Sequence, residues 1–457
     1  MRAVRLAWDL LRAEGPRGLG ARLADRFDEL RRRSVERTVS PEALTRAGTP
    51  VPVLDVLATP LAPRWGGIPT QLRARLEEEA RLRPTALLSP EKGQWTLLTS
   101  HGGIRQRARL GPWQPVADPA ESPRAAIGTL LEAVRLVGAR LVNVEGVSGW
   151  PPGALLALAK GGPKVVISLH DFALFCPRPN LVEEPLFRFC DYSRNANRCR
   201  TCLSASWNLP GGFVEAWRAS GEELLSSADA VVYPSEFLMR QHAILFPGAR
   251  PRQERVIAPP APGEGGVALS RPALKTEHDG PLHVAFVGAY RPHKGALVFE
   301  ELLRRFQANQ ARPLRWSILG SGDPTLLVRA RRLGANVVGH YRAGGLTRLL
   351  HQERIDIALL LSVWPETFGL TLSECRAAGV PVLAFAHGAI GDRITAEGGG
   401  ALVPPDQGAA GVEKLLLGLV SGEVAIPPFR EGEAGPSAVH AASERISLYD
   451  ALLGEAN

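Results

Sequence analysis

Short apolar runs of strand length alternate along this chain with stretches of helical periodicity, and that rhythm restricts the fold more than any other feature. The first set predicts strands at 51–58, 141–146, 164–170 and 230–234, with helices at 71–82, 154–160 and 236–245. Ser235 stands where a helix N-cap belongs. A second set predicts strands at 283–287, 315–319, 335–338, 355–361 and 380–385, each separated by a helical pattern. Nearly continuous apolar strands of this kind belong to parallel sheets covered on both faces. A Pro-, Gly- and Ala-rich run at 259–272 reads as the linker between the sets. Two such domains predict a cleft between the carboxyl ends of their strands. Residues 443–453 read as a last helix.

Composition narrows the class. The 457 residues are 45% hydrophobic and 22% charged, which is globular and excludes a disordered chain. No run approaches the roughly 18 apolar residues needed to span a bilayer. The N-terminus is broken by charge and is not a secretory signal, so a cytoplasmic protein is expected. The net charge is +8, with a pI near 9.6. Residues 1–37, however, carry ten arginines against six acids, half of the whole excess. The rest is too thinly spread for a nucleic-acid stripe, and no nucleic-acid partner is expected.

The same N-terminal stretch has helical spacing. Val4, Trp8 and Leu11 share one face, Gly15-Pro16 breaks the pattern, and Leu19, Leu23, Phe27 and Leu30 resume it with arginines between. Two readings stand: a helix pair packed on the body, or a basic amphipathic anchor on an anionic membrane surface. The second would make the protein peripheral on the inner face of the cell membrane.

The run Pro365-Glu366-Thr367-Phe368-Gly369-Leu370-Thr371-Leu372-Ser373-Glu374 is the most informative for chemistry. It follows an apolar strand, and its second half opens a helix. Glu366 falls in the loop and Glu374 on the helix, with the amides of Phe368, Gly369 and Leu370 near a helix N-terminus that favours anions. Two carboxylates flanking bare amides suit a ligand with hydroxyls at both ends and phosphate between. Two solvated glutamates beside an ordinary loop would have the same spacing.

Glu366 and Glu374, followed by Ala377-Ala378-Gly379-Val380-Pro381-Val382, resemble the signature of retaining glycosyltransferases of family 4. Further segments carry the resemblance in order: Gly66-Gly67-Ile68, His170-Asp171, Pro234-Ser235-Glu236-Phe237, 286–295 and Gly320-Ser321-Gly322. It covers most of 51–453. It implies an α/β GT-B fold of two Rossmann-like, doubly wound parallel-sheet domains facing a central cleft. A nucleoside-diphosphate sugar would be bound mainly by the C-terminal domain. Glu374 would then hold the donor ribose hydroxyls and Glu366 a hydroxyl of the transferred sugar, with Thr367 also among the donor-binding residues. The amides of Phe368, Gly369 and Leu370 would meet sugar and diphosphate, which Lys294 neutralises. Gly66, Gly67 and Gly288 would allow close approach of backbone to the donor. His170 would lie beside the donor sugar and counts with Glu366 and Lys294 among the catalytic residues. The family often has arginine after the glycine matching Gly288; here it is Ala289, with Arg291 as the substitute cation.

No two of the 14 aspartates stand at i and i+2, so a metal clamp of the Asp-x-Asp type is missing and no catalytic cofactor is expected. Cys176, Cys190, Cys199 and Cys202 crowd into an irregular segment, 172–214. They read either as a structural zinc site or as reduced buried thiols, and Cys375 as core. The expected domains are a helical extension at 1–48 and an acceptor domain at 49–262 containing that insertion. A donor domain at 276–437 follows, then a helix at 438–457 that crosses back to the first domain. The expected activity is retaining, metal-independent transfer of a sugar to a glycan or lipid-linked acceptor in bacterial polysaccharide or glycolipid assembly. A sugar-nucleotide epimerase or hydrolase, or a scaffold that has lost transfer, are the alternatives.

Overall fold

A computed structural model of the protein describes residues 2–46, 50–61, 67–115, 118–120, 124–261, 281–308, 314–430 and 435–454. The chain divides into two compact units. One, the N-terminal unit, is Leu30–Pro260 with Pro436–Asn457; the other, the C-terminal unit, is Met1–Glu29 with Ala261–Gly435. The extension expected as one piece, 1–48, is therefore divided between them. Most of the expected linker, and Gly66 of the Gly66-Gly67-Ile68 segment, lie outside the described residues.

The C-terminal unit holds, among the described residues, a six-stranded sheet that is parallel throughout. Its order is Asn336–Gly339, Arg315–Leu319, His283–Val287, Ile357–Leu360, Val382–Phe385, Gly400–Val403. In chain sequence that is third, second, first, fourth, fifth, sixth, the doubly wound order. The direction of winding reverses between His283–Val287 and Ile357–Leu360, and ligands bind outside the carboxyl ends of strands at such a point. Val284, Phe286, Ile357 and Leu359 are fully buried on one side, Ala285, Ala358 and Leu360 on the other, as a sheet covered on both faces requires.

The N-terminal helix Arg2–Ser34 is broken at Gly15, which takes φ 76° and ψ 178°. Its residues 2–29 belong to the C-terminal unit. Ala13 and Glu14 are buried, and Glu14 is paired with Arg22 at 2.7 Å. The backbone of Glu14 comes so close to Gly339 that a Cβ there would stand 2.4 Å from its carbonyl oxygen. Asp25 meets His340 at 2.7 Å, and Arg17 pairs with Glu353. This contact is made by small and charged residues. The apolar face read from the sequence, with Trp8, Leu23, Phe27 and Leu30, is left exposed.

The N-terminal unit is built on a sheet of nine strands among the described residues. The order is Arg37–Thr38, Ile104–Pro112, Gln94–His101, Thr85–Glu91, Val53–Val56, Leu141–Glu145, Lys164–Ser168, Ala230–Tyr233, Glu254–Val256. From Thr85–Glu91 onward through that order neighbours run parallel; Thr85–Glu91, Gln94–His101 and Ile104–Pro112 form an antiparallel meander. The meander escapes the sequence reading, although its signals are present. Lys92-Gly93 (φ 50° and 77°) and Gly102-Gly103 (φ 53° and 79°) are two-residue hairpin turns with positive φ at both positions.

At the middle of this sheet lies a buried cluster of charge. The Arg75 guanidinium donates to Asp55 at 2.7 Å and Glu145 at 2.8 Å and also pairs with Glu79. Asn143 donates to Asp55 and Glu145, and the Ser168 hydroxyl donates to Asn143 while accepting from Arg445 at 2.6 Å. Arg445 and the fully buried Tyr449 come from the last helix, Ala438–Leu453, which belongs to this unit. Removing the central cation strands three carboxylates in the interior. Arg75→Met is expected to destabilise the N-terminal unit by about 3–5 kcal/mol. Urea unfolding followed by tryptophan fluorescence should show its transition at much lower denaturant; an unchanged midpoint would contradict the role given to Arg75.

Candidate functional site

The site begins where the winding of the C-terminal sheet reverses. Beyond Val287, Gly288 turns with φ 114°, and a Cβ on it would touch only the Thr371 methyl at 3.9 Å. Beyond Leu360 the chain loops through Ser362–Gly369 into the helix Leu370–Ala377. Gly369 caps that helix in the left-handed region (φ 84°), with Ile390 packed where a side chain would go. The two chain ends are locked together. A Cβ on Gly295 would stand 1.9 Å from the Leu361 carbonyl oxygen, and the Val363 amide donates to the His293 carbonyl at 3.1 Å. The short turn Pro292–Lys294 is thereby laid on the Glu366 loop.

The resulting geometry pairs the Lys294 ammonium with Glu366 at 2.8 Å, with Trp364 beneath the ammonium at 5.6 Å. Burial raises the Glu366 pKa, but Lys294 and hydrogen bonds outweigh it and hold the carboxyl below its ordinary value. Burial, reinforced by Lys294, lowers the neighbouring His293 to about 4, so that ring is neutral at neutral pH. Glu374 has the opposite fate. It is buried, accepts a hydrogen bond from the Leu346 amide, and burial lifts its pKa to about 8. One carboxyl of the pair is thus ionised and the other protonated at neutral pH. Thr367 is buried in the same loop, and Arg291 is exposed at the start of the 292–294 turn.

Arg393 is a member of this site that sequence reasoning misses. It lies over the Phe368 ring at 4.5 Å and donates to the carbonyls of Phe368 and Gly369 at 3.3 and 3.2 Å. Glu397 anchors it at 2.9 Å. In a trans peptide the N–H points opposite to the C=O, so Arg393 turns the amides of Gly369 and Leu370 to the other side of the loop. Nothing local in the sequence marks it, because it comes from the helix Gly388–Glu397.

In the N-terminal unit, Gly67 opens the helix Gly67–Leu82, which starts earlier than expected. Gln71 of that helix approaches His170 Nδ1 at 3.2 Å, while His170 Nε2 lies 2.8 Å from Glu145. Burial raises the Glu145 pKa, but Arg75, Arg445 and His170 together hold it far below the carboxylate range. An ionised carboxylate only accepts, so Nε2–H donates to it and Nδ1 accepts from Gln71. Both ring nitrogens are engaged within the unit. These two hydrogen bonds hold the His170 ring in one orientation just beyond the strand Lys164–Ser168. Asp55, Asn143 and Glu145 stand in the sequence as polar residues inside apolar strands; that Arg75 would pair with the two carboxylates, and Arg445 of the last helix reach Ser168 beside them, is not marked locally.

The four clustered cysteines line one small cavity, and Cys375 is buried in the other unit. Among the described residues no three Cys, His, Asp or Glu side chains stand as a ready metal-ligand set. This differs from the tetrahedral arrangement that a zinc reading implies.

The Glu374 shift has a stability consequence. An acid with its folded pKa raised from 4.5 to about 8 contributes stability that is full below pH 4.5 and is lost as pH rises toward 8. We expect the denaturation midpoint of the C-terminal unit to fall over that window, by up to about 1 kcal/mol per pH unit. Glu374→Gln should flatten the dependence; a variant with the wild-type pH profile would refute the assignment.

Residues 273–422, within the C-terminal unit apart from its first helix, match the family model of glycosyl transferases group 1. No curated protein matches the sequence. Among solved structures, the chain is similar to sucrose-phosphate synthase from Thermosynechococcus elongatus, at 16% identity and a TM-score of 0.53, over 89% of this chain and 98% of that one. It is similar also to a glycosyltransferase from Rickettsia africae ESF-5, at 13% and 0.54, over 89% and 99%. A third is HepE of Anabaena in complex with UDP and glucose, at 15% and 0.51, over 88% and 98%. At such identities the likeness shows the fold, which is GT-B. The matched stretch makes the C-terminal unit a glycosyltransferase domain and the chain an enzyme of that class.

Proposed function

We propose that the chain moves a sugar from a nucleoside-diphosphate donor to an acceptor hydroxyl, with retention of configuration and without a catalytic metal. The observation that carries this is the Lys294–Glu366 pair set beside amide-bearing loop 366–370 and a second, neutral carboxyl at Glu374. UDP and glucose in the HepE structure support a nucleotide sugar as the donor. The diphosphate would draw Lys294 away from Glu366 and receive the amides of Gly369 and Leu370 at the helix N-terminus. Glu366, released, would accept a hydroxyl of the transferred sugar, and Glu374 the ribose hydroxyls. Gly288 leaves space for this approach, and exposed Arg291 is the second cation available to the phosphates.

In same-face substitution the bond from the anomeric carbon to the leaving phosphate breaks while its bond to the acceptor oxygen forms. The acceptor proton passes to the departing phosphate oxygen. No side-chain base is then needed, in keeping with a His170 whose nitrogens are both engaged. Catalysis rests on positioning and on charge stabilisation at the diphosphate.

The acceptor in this reading is a growing glycan or lipid-linked saccharide of a bacterial envelope, reached from the inner membrane face. Support comes from Trp8, Leu23 and Phe27, which are 60%, 51% and 69% exposed on a helix rich in arginine. Among the described residues no helix is long and apolar enough to cross a membrane.

Two experiments test the reading. Glu366→Gln keeps the shape but removes the charge, and should lower transfer by about a hundredfold or more while circular dichroism is unchanged. Wild-type transfer by this variant would sink the role of Glu366, and donor turnover without acceptor would favour a hydrolase or epimerase. Flotation with vesicles should require anionic lipid, weaken with salt, and drop on Trp8→Ser with Phe27→Ser. Flotation indifferent to lipid charge and to these substitutions would remove the membrane from the proposal.

A further inference from the structure

The segment between His170 and the helix Phe213–Ser227 has little regular structure of its own. Among its described residues it has the two-residue strands Val182–Glu183 and Arg188–Phe189 and the helix Ala196–Ser204. Three separate pieces of this backbone bring their thiols to one place. Cys176 sits in a turn whose amide donates to the Phe172 carbonyl, and Cys190 leaves the small hairpin with its amide on the Leu181 carbonyl. Cys199 and Cys202 lie three apart, on one side of the helix. All four line a single small cavity of about 20 Å³, whose walls also hold Phe175, Leu181 and Leu203 and the charged Glu183, Arg198 and Arg218. That volume admits one water-sized guest.

Two features distinguish this place from an apolar core that happens to contain cysteines. First, donors are directed at the sulfurs. The Arg178 amide donates to Cys176, the Ser193 amide to Cys190, and the Arg218 guanidinium lies 3.7 Å from Cys199 Sγ. Such donors can meet negative charge on the sulfurs when a metal draws it there. Second, Arg218 is buried, stacked 3.9 Å over Phe175, and bonded to the carbonyls of Phe175 and Ser193. Its hydrogen-bond partners are those carbonyls and the Cys199 sulfur, and among the described residues none is a carboxylate. A buried cation normally has a counter-charge, and here the groups positioned to supply it are sulfurs.

We propose that Cys176, Cys190, Cys199 and Cys202 bind one soft divalent cation, zinc, as a structural tetrathiolate site whose residual negative charge is met by Arg218. Binding releases the thiol protons: four thiols and one dication give a dianionic complex and four protons. The tetrathiolate would supply the counter-charge that Arg218, bonded otherwise to carbonyls, lacks. The sulfurs as placed do not form a ready ligand set. The ion must therefore draw them inward by rotation about their Cα–Cβ bonds, and in doing so ties together three pieces of a segment that has little else to order it. Four protein ligands leave no open position, so the ion orders the segment and takes no part in chemistry.

The test uses the full-length protein, purified under reducing conditions without chelator. Elemental analysis should find about one zinc per chain, as a closed four-thiolate site requires. Cys199→Ser with Cys202→Ser should lose it, and Cys375→Ser should keep it. Should the double variant not fold, the wild type alone decides: a mercurial thiol reagent should release zinc as four thiols react, and Co²⁺ exchanged into the site should show thiolate-to-cobalt charge transfer. Metal-free protein that takes up neither Zn²⁺ nor Co²⁺ would overturn the proposal. So would zinc retained in the folded double variant, or two disulfides among the four cysteines in non-reduced peptide maps. Metal content is read without any transfer assay, so this outcome and that of the transfer reading are independent.

Discussion

Two carbonyl oxygens, those of Leu361 and Gly288, stand where a side chain at 295 or 320 would have to go. A Cβ on either glycine would lie 1.9 Å from one of them, far inside van der Waals contact. This backbone-on-backbone packing brings the carboxyl ends of the strands at the winding reversal within reach of each other. It seats the turn Pro292–Lys294 on the end of a neighbouring strand and so places an ammonium against Glu366. The candidate site is a consequence of that closeness. A side chain at 295 would push the 292–294 turn off the loop that follows Leu361.

The protein assigns charge by partner and burial more than by residue type. Glu366 and Glu374 stand eight positions apart in one segment, yet a cation keeps the first ionised and burial without a cation keeps the second protonated. The N-terminal unit uses the same physics for a different end. Arg75, inserted among Asp55, Glu79 and Glu145, makes an interior cluster of carboxylates tenable, and Glu145 passes that order on to the His170 ring. The last helix completes the cluster through Arg445 and Tyr449. Residues at opposite ends of the sequence thus share one electrostatic network.

Some elements read well locally because period and length carried the information. In the second set His283–Val287 and Arg315–Leu319 were legible to the residue, since strands buried on both faces are short continuous apolar runs, while the glycine-led Gly400–Val403 was not read. The Ser235 cap was equally local, its side chain accepting from the Leu238 amide. The 85–112 meander was passed over because its last strand, Ile104–Pro112, is polar and mostly unburied, and its turns depend on positive φ at Lys92 and Gly102. The N-terminal helix was legible as a broken helix at Gly15. Its contact face was not, because small residues and ion pairs make the contact in place of the apolar stripe.

The sequence by itself determined the alternating parallel architecture, the loop-to-helix run with two glutamates, and the presence of one lysine and four cysteines worth attention. These depend on periodicity and on residue chemistry, which are properties of neighbours in the chain. Only the tertiary structure decided which groups share a partner. It set Lys294 on Glu366 and Arg393 behind the Phe368–Gly369 carbonyls. It placed Gln71 and Glu145 on the two nitrogens of His170, and Arg218 beside Cys199. Each of these pairs joins residues from different elements, and ionisation follows distance and burial, which exist only once the chain is folded.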